Sequence, residues 1–503
     1  MRREEIHATL IVMVGLGATT ATGYLREAAL AYELGVGRAA DIFLIAFSVP
    51  EFVLTALPII LTAAFIPLFA AVRQQAGEKR AWHFGRQTSI WLLALLLGVV
   101  LLAAWGAPLY IRLLAPGFET WERGLSVQAL YRMLPAIILM GGANLVTAAL
   151  HVYRRFARPA LAAAMNNLAF IAALIGLPLV WAVGRAAWGV TLGAALALFV
   201  QLPLLWRFRP RSQRAKVVED TQGGLPPTIS DLARLAGPLT VGYAVHHAIL
   251  FVDRSMASTL GVGSVAALNY GYRLALVVGQ LSGLAVSTAL FPAMAEQAAR
   301  RDDAGMRVSL AGALALVWAI GLPACAGLVL LRGPIVQVLF ERGAFDQEAT
   351  AAVSDVLRWY APAVLADALC QPLWRAVYAW RKARTVLAVN GLQTLIRVVG
   401  NVALMSRLGY DGLALSAAVG LSVQLLILLW LVRRRLGKYL TAAWWQRALG
   451  ITIATGCAVI MTGLVYGWLP PGPALVDLLI SGTSGGLTYL FILWLIGRRK
   501  RAQ

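Results

Sequence analysis

The sequence predicts an all-α polytopic membrane protein with about fourteen transmembrane helices. Two parallel six-helix repeats form two lobes around a central cavity, and two further helices follow. Of the 503 residues, 60% are hydrophobic and 13% are charged, about half the charged share of a soluble protein. Many apolar runs reach the roughly 20 residues that a membrane-spanning helix needs. Open sheets cannot span a bilayer, and a barrel would show short alternating segments.

An internal repeat organises the chain. Leu34-Gly35-Val36-Gly37 recurs as Leu260-Gly261-Val262-Gly263, 226 positions later. Phe65-Ile66-Pro67 ends the second apolar run, and Leu290-Phe291-Pro292 does the same 225 positions later. Landmarks that share one offset indicate a duplicated unit of roughly 225 residues.

Fourteen candidate spans account for the apolar runs. They cover residues 6–25, 40–71, 88–108, 126–152, 160–183, 186–206, 232–258, 265–293, 308–331, 351–378, 385–405, 411–432, 447–468 and 474–497. Every even-numbered span is followed by basic residues, such as Arg154-Arg155 and Arg433-Arg434-Arg435, whereas odd-numbered loops hold Glu119 and Glu341. Because basic loops stay on the cytoplasmic side, both termini are predicted to be cytoplasmic.

The spans group into four segments. Residues 1–206 form an N-terminal lobe, 207–231 a cytoplasmic linker, 232–440 a C-terminal lobe, and 441–503 two extra helices with a basic tail. Because six is an even number, the second lobe enters the membrane from the same side as the first. The repeats are therefore parallel, which is one of the two common transporter plans.

The chemistry-bearing residues favour transport over catalysis. The net charge of +21 is interpreted as a topology signal rather than a nucleic-acid surface. Cys325, Cys370 and Cys457 have no ligand spacing, and no phosphate-binding GK[ST] loop occurs in the sequence. We therefore predict no enzyme activity and no cofactor, with transport coupled to the membrane potential or to a monovalent ion.

Two arginines are candidates for binding a phosphorylated substrate. Arg26 closes span 1, and Arg273 lies within span 8, so each lobe supplies one. Guanidinium binds phosphate through two parallel hydrogen bonds and keeps its charge when partly desolvated. The alternative is an arginine that reaches the interface or pairs with a neighbouring carboxylate.

Other polar residues in apolar runs are candidates for gating or coupling, because charge inside a membrane is costly. Asp41 is a gate residue, or a substrate-site residue that orients Arg26, or a favourable charge at a helix N-terminus. Glu51 follows Pro50 and either carries a proton or cation during transport or is a hydrogen-bonded polar residue at the helix kink. Asp253-Arg254 is either a local ion pair or part of the substrate site. His246-His247 can titrate or bond to a neighbour.

Several motifs resemble a known family. The segment from Gly23 to Pro67 includes GYLREA and ADIFLIAFSVP, and residues 338–345 read VLFERGAF. Ala115-Pro116-Gly117-Phe118, residues 155–160 (RFARPA) and Tyr270 to Leu274 fit as well. These motifs resemble the MurJ/MviN family of lipid II flippases, within the multidrug/oligosaccharidyl-lipid/polysaccharide exporter superfamily.

The resemblance implies a flippase that moves an undecaprenyl-pyrophosphate-linked peptidoglycan precursor from the inner to the outer leaflet by alternating access. It implies a bacterial cytoplasmic membrane location and cell-wall synthesis proteins as partners. The family's cavity arginines correspond to Arg26 and Arg273, and its acidic residue at the start of span 2 corresponds to Asp41. The two extra helices would shape a groove for the lipid tail.

The chain departs from the family pattern in the first lobe. Thr20 stands where the family usually has an arginine, and Phe52 to Pro58 contains no arginine. Arg254 and the His246-His247 pair are candidates to compensate for the lost charge. The alternatives are therefore a flippase for another polyprenyl-linked glycan, such as an exopolysaccharide or teichoic-type unit, and an ion-coupled small-molecule exporter.

Overall fold

A computed structural model describes residues 3–178, 181–208, 228–380, 383–470 and 472–501. Within these ranges the chain forms helices and no strands, which confirms the all-α prediction. Most of the predicted 207–231 linker lies outside the described residues.

The first of two compact units covers Met1–Val265. Its helices are α1 (Arg3–Leu34), α2 (Arg38–Ile60), α3 (Ile66–Leu114), α4 (Thr120–Val152), α5 (Ala157–Gly176), α6 (Ala182–Arg207) and α7 (Ile229–Ala257). Five π-helical residues, Leu61–Phe65, join α2 to α3. Helix α4 packs against α2, α3 and α6, while α7 packs against α2 and α3.

The second unit covers Ala266–Gln503. Its helices are α8 (Ser264–Gly279, which begins just before the boundary), α9 (Ala285–Ala299), α10 (Asp303–Leu330), α11 (Arg332–Phe340), α12 (Gln347–Ala379), α13 (Ala383–Leu436), α14 (Ala442–Trp468) and α15 (Ala474–Arg501). A second π-helical segment, Gln280–Leu284, joins α8 to α9. Each unit therefore carries one π-helical interruption between two helices, as a duplicated unit predicts.

The boundary between the units differs from the lobe boundary that the sequence indicates. In the structure, the first unit ends at Val265 and the second begins at Ala266, whereas the sequence places the boundary in the 207–231 linker. Helix α7 accounts for the difference, because it packs against α2 and α3 of the first unit. The assignment of residues 232–440 to a C-terminal lobe stays a prediction.

Ten helical stretches of the described chain are long and apolar enough to cross a membrane. One of them, Arg38–Leu114, contains predicted spans 2 and 3, and Thr385–Leu436 contains spans 11 and 12. The first is interrupted at Gly77, whose φ of 78° lies in the left-handed region that glycine adopts at little cost. The count of fourteen spans stays a prediction. Predicted span 5 extends too far, since α5 ends at Gly176 and α6 begins at Ala182.

Helix α2 is held at both ends, which fixes the side chains that it presents. At its start, Arg38 forms an ion pair of 2.5 Å with Glu122, a fully buried residue in the first turn of α4. Just beyond its end, the ring of Phe65, in the π-helical segment, stacks on the ring of Phe84 with centroids 6.1 Å apart. Such aromatic packing contributes beyond the burial of its area.

Candidate functional site

Asp41 lies in the first turn of α2 and is 1% exposed. Its Oδ2 accepts a hydrogen bond of 2.7 Å from the backbone N–H of Gly263, in the turn between α7 and α8. Gly263 has a φ of +81°, and a Cβ there would lie 2.7 Å from the carbonyl oxygen of Val36. Both copies of the repeated Leu-Gly-Val-Gly motif therefore meet at this contact.

A second glycine brings the α3–α4 turn onto the end of α7. The N–H of Gly117 donates to the Ser258 hydroxyl at 3.4 Å, and a Cβ on Gly117 would overlap the Ser258 carbonyl group. Ser255 donates to the carbonyl oxygen of Leu113 at 3.1 Å. We call Val36, Asp41, Gly117, Ser258 and Gly263 the α7 clasp.

Arg254 lies inside the first unit and is 5% exposed. Its Nη1 donates to the Ser48 hydroxyl at 2.6 Å, and its Nη2 donates to Glu51 Oε2 at 2.7 Å. The buried phenol oxygen of Tyr110, from α3, lies beside Ser48, Glu51 and Arg254. The Arg254–Glu51 pair therefore joins α7 to α2. A charge-assisted hydrogen bond is about twice as strong as a neutral one.

Arg26 is half-buried on α1. Its guanidinium carbon lies 4.5 Å from the centroid of the Phe170 ring and 5.7 Å from that of Phe47. An arginine over an aromatic face gains cation–π attraction, which is larger where water is excluded. The two rings therefore hold the guanidinium in a defined orientation.

The remaining candidates on α7 have different surroundings. His247 Nε2 lies 2.9 Å from the hydroxyl of Tyr243, and its ring meets the edge of Phe52. Asp253 is 6% exposed. The side chain of His246 lies outside the described part of the structure. The alternative of a histidine bonded to a neighbour therefore fits His247.

Arg273 belongs to the second unit. It is half-buried on α8, six residues before the helix ends at Gly279. The buried ring of Tyr270, one turn earlier, packs against Phe340 and Phe345 of the VLFERGAF segment. That packing fixes the helix face next to Arg273. The structure thus joins Arg254 to Glu51, and it places Arg26 and Arg273 in different units.

Ser48 and Tyr110 lie beside Arg254, and the sequence did not identify either of them as a site residue. Ser48 lies within the apolar segment AFSVP, and Tyr110 ends the segment GAPLY. A lone serine or tyrosine in an apolar run carries no signal. The repeated Leu-Gly-Val-Gly motif indicated a duplication, but not that its two copies would meet at the clasp. In the described chain, no group of three or more His, Cys, Asp or Glu side chains could hold a metal ion.

Comparison with known proteins decides the family. Residues 30–470 match the family model described as "Lipid II flippase MurJ". The chain belongs to the MurJ family of lipid II flippases. The family is one of transporters, which agrees with the absence of a catalytic motif in the sequence.

Individual relatives agree with this assignment. A "Lipid II flippase MurJ" of Burkholderia cenocepacia is 28% identical over 462 residues, which cover 88% of this chain and 86% of the relative. A "Probable lipid II flippase MurJ" of Rhizobium meliloti is 27% identical over 415 residues, with coverage of 81% and 76%. Because at least 76% of each protein is covered, the similarity is not confined to one lobe.

Solved structures share the fold. The chain is similar to "Lipid II flippase MurJ, inward closed conformation" with a TM-score of 0.81 and 20% identity, over 97% of this chain and 99% of that one. A multidrug transporter of the MATE family, in an inward-facing conformation, matches with a TM-score of 0.70 and 15% identity, over 85% and 98%. At these identities the likeness shows the fold alone, a multi-span helical transporter fold.

Proposed function

We propose that this chain is a flippase that translocates lipid II, an undecaprenyl-pyrophosphate-linked peptidoglycan precursor, from the inner to the outer leaflet by alternating access. The match of residues 30–470 to the lipid II flippase family carries this proposal. The polyprenyl tail stays in the bilayer while the charged headgroup crosses within the protein. This division avoids the high free-energy cost of charge in hydrocarbon.

Arg26 and Arg273 are proposed to hold the pyrophosphate. Each unit supplies one of them, and both are half-buried, Arg26 on α1 and Arg273 on α8. Guanidinium keeps its charge in such surroundings and matches the geometry of phosphate oxygens. The rings of Phe47 and Phe170 keep the Arg26 guanidinium in one orientation, which lowers the entropy lost when phosphate binds.

Asp41 is proposed as a gate residue rather than a direct ligand. Its carboxylate is buried and accepts the N–H of Gly263, so it holds the α7 clasp closed. A substrate path through this region requires that hydrogen bond to break. Once Glu51 releases it, Arg254 is proposed to replace the positive charge that the first lobe has lost at Thr20 and within Phe52 to Pro58.

The proposed setting is the cytoplasmic membrane of a bacterium, with both termini in the cytoplasm. The basic loops after even-numbered spans support this orientation. Proteins of cell-wall synthesis are the proposed partners, because they make the substrate on one side and consume it on the other. Transport is proposed to draw on the membrane potential or a monovalent ion, with Glu51, His246, His247 and Asp253 as coupling candidates.

A second candidate substrate is another polyprenyl-linked glycan. The observation that favours it is the loss of arginines in the first lobe, at Thr20 and within Phe52 to Pro58. In addition, Arg254 is bonded to Glu51, so its charge is partly neutralised. A lipid-linked pyrophosphate remains the shared chemistry of the two candidates.

Complementation separates the two candidates. The chain is expressed in a bacterium depleted of its own lipid II flippase, beside Arg273→Ala and the matched surface variant Arg80→Ala. Growth restored by the wild type and by Arg80→Ala, but not by Arg273→Ala at equal abundance, supports lipid II flipping through Arg273. Failure of the wild type despite confirmed membrane insertion supports the other glycan.

A further inference from the structure

A cavity in the first unit lies between α3, α4 and α6. Its volume is about 700 Å³, within the roughly 300–1,000 Å³ that is typical of ligand sites. Its floor is apolar and buried, and its rim is exposed. The floor is formed by Phe65, Phe69, Leu96, Leu145, Val146 and Ala149.

The rim has a polar, aromatic end. His83, Arg86 and Ser89 are exposed on α3, and Trp206 is 65% exposed near the end of α6. Further along α3, the lining changes to Leu92, Leu93 and Leu96. Tryptophan beside an apolar surface is typical of the membrane–water interface. The crevice therefore runs from the interface into the hydrocarbon region.

Positive charge dominates this end of the unit. No described carboxylate forms an ion pair with Arg86, whereas Glu78 is paired with Arg73 at 2.8 Å. The Tyr153 ring stacks on Phe208 with centroids 4.4 Å apart, so the ends of α4 and α6 lie together. Burial and the neighbouring Glu78 carboxylate raise the pKa of Tyr153, so its phenol is a neutral donor to Glu78. Among the described residues that line the crevice, the rim therefore has a cation, Arg86, and no carboxylate.

The length of the crevice matches one leaflet. On α4 the lining extends from Ile138 to Ala149, which is roughly 16 Å at about 1.5 Å per residue. One leaflet is half of the ~30 Å hydrocarbon core. A single extended hydrocarbon chain therefore fits along the crevice while its headgroup stays at the interface.

We propose that this α3–α4–α6 crevice binds one acyl chain of an anionic phospholipid, with the phosphodiester beside Arg86. A phosphodiester carries one negative charge, which one arginine at the rim complements. The bound chain fills the space between three helices and stabilises the kinked α3 against α4 and α6. This inference goes beyond the proposed function, and its test does not depend on transport.

Photolabelling tests the site directly. The purified full-length chain is placed in nanodiscs containing phosphatidylglycerol with a diazirine on one acyl chain, and adducts are mapped by mass spectrometry. Adducts concentrated within residues 92–96, 138–149 and 198–205 are expected. Gly142→Phe fills the crevice, because a Cβ there points at Leu198 with only ordinary contacts of 3.5 Å. It should abolish most of these adducts, whereas Gly98→Phe, which has open space, should not.

Headgroup selectivity tests the role of Arg86. Arg86→Gln should lower the ratio of phosphatidylglycerol to phosphatidylcholine labelling about fivefold, which corresponds to the ~1 kcal/mol expected for one basic residue near an anionic surface. Arg80→Gln, on the same helix but outside the lining, should leave the ratio unchanged.

Three results would each overturn the proposal. They are labelling spread evenly over the chain, equal labelling by both lipids, and displacement by a polyprenyl pyrophosphate but not by phosphatidylglycerol. Melting temperatures identify a misfolded variant, and Leu198→Trp then serves as a second crevice-filling variant.

Discussion

At the scale of single residues, Arg254 shows how this chain handles a buried charge. Both Nη atoms donate to oxygen atoms of α2, and the side chains of Arg254 and Glu51 are 6% and 17% exposed. Removing one partner of such a pair leaves a charge without compensation, which costs about 3–5 kcal/mol. Replacing both partners by neutral groups of similar size costs much less. The contribution of this ion pair to stability can therefore be measured by comparing single and double variants.

We predict that Arg254→Ala lowers the melting temperature far more than the double variant Arg254→Met with Glu51→Gln. The single variant strands the Glu51 carboxylate, while the double variant removes both charges. Thermal unfolding of the detergent-solubilised chain, followed by intrinsic tryptophan fluorescence, gives the comparison. Equal losses in the single and double variants would show that the ion pair contributes nothing specific.

The sequence showed which polar residues are unusual but not which of them meet. Arg26, Asp41, Glu51 and Arg254 were found because charge is rare in apolar runs. Their partners depend on how separate helices pack, so Arg254 was assigned to Asp253 or to the substrate, whereas its structural partner is Glu51. Because consecutive residues lie on different faces of a helix, the side chains of Asp253 and Arg254 point in different directions. Glu51, which is 203 positions away in the chain, lies opposite Arg254.

At the scale of helices and turns, the α7 clasp depends on two glycines. Gly117 touches the Ser258 backbone, and Gly263 approaches the Val36 carbonyl with a positive φ. Side chains at these positions would push the α3–α4 turn and the α7–α8 turn away from their neighbours. We therefore expect that adding a single methyl group at either glycine opens the clasp.

We predict that Gly117→Ala exposes residue 258. In the wild type Ser258 is 4% exposed, so a cysteine placed there should react slowly with a membrane-impermeant maleimide. Gly117→Ala should accelerate labelling of Ser258→Cys, whereas Gly124→Ala, which has open space around it, should not. Unchanged labelling in the Gly117 variant would mean that the clasp tolerates a methyl group.

The C-terminal hairpin of α14 and α15 is attached to α10 by three hydrogen bonds. Trp444 Nε1 donates to the carbonyl of Ala311 at 2.9 Å, Trp318 Nε1 donates to Thr452 at 3.2 Å, and Tyr489 donates to the carbonyl of Ala319 at 2.6 Å. The two helices also pack closely against each other, since a Cβ on Gly485 would overlap the Thr462 hydroxyl. The hairpin is therefore an integral part of the second unit.

Adjacent glycines on α15 allow a matched test of this packing. Gly485→Leu should destabilise the chain, because it forces α14 and α15 apart and leucine in a packed interface commonly costs ~1–3 kcal/mol. Gly486→Leu should be nearly neutral, because Gly486 is exposed with nothing nearby. Melting temperatures of the two variants provide the measurement. A similar loss in both variants would show that interhelical packing at Gly485 is not the cause.

At the scale of the whole chain, hydropathy and the repeat were sufficient to predict an all-helical membrane protein. They succeeded because a bilayer restricts spanning segments to a few structures. Helix ends were harder to predict. The sequence predicts that span 5 continues beyond Gly176, because the apolar residues continue towards the start of α6. The grouping of α7 with the first unit was not predictable either, because it depends on packing against α2 and α3.

The proposed activity of the whole molecule is to move lipid II between leaflets. The most direct measurement uses the purified chain in vesicles that contain lipid II with a fluorophore on its peptide, together with a membrane-impermeant quencher. In wild-type vesicles, the initially protected inner pool of lipid II is expected to reach the quencher, whereas in protein-free vesicles and Arg273→Ala vesicles it is not. An inner pool that stays protected in wild-type vesicles, across imposed membrane potentials of either sign, would contradict it.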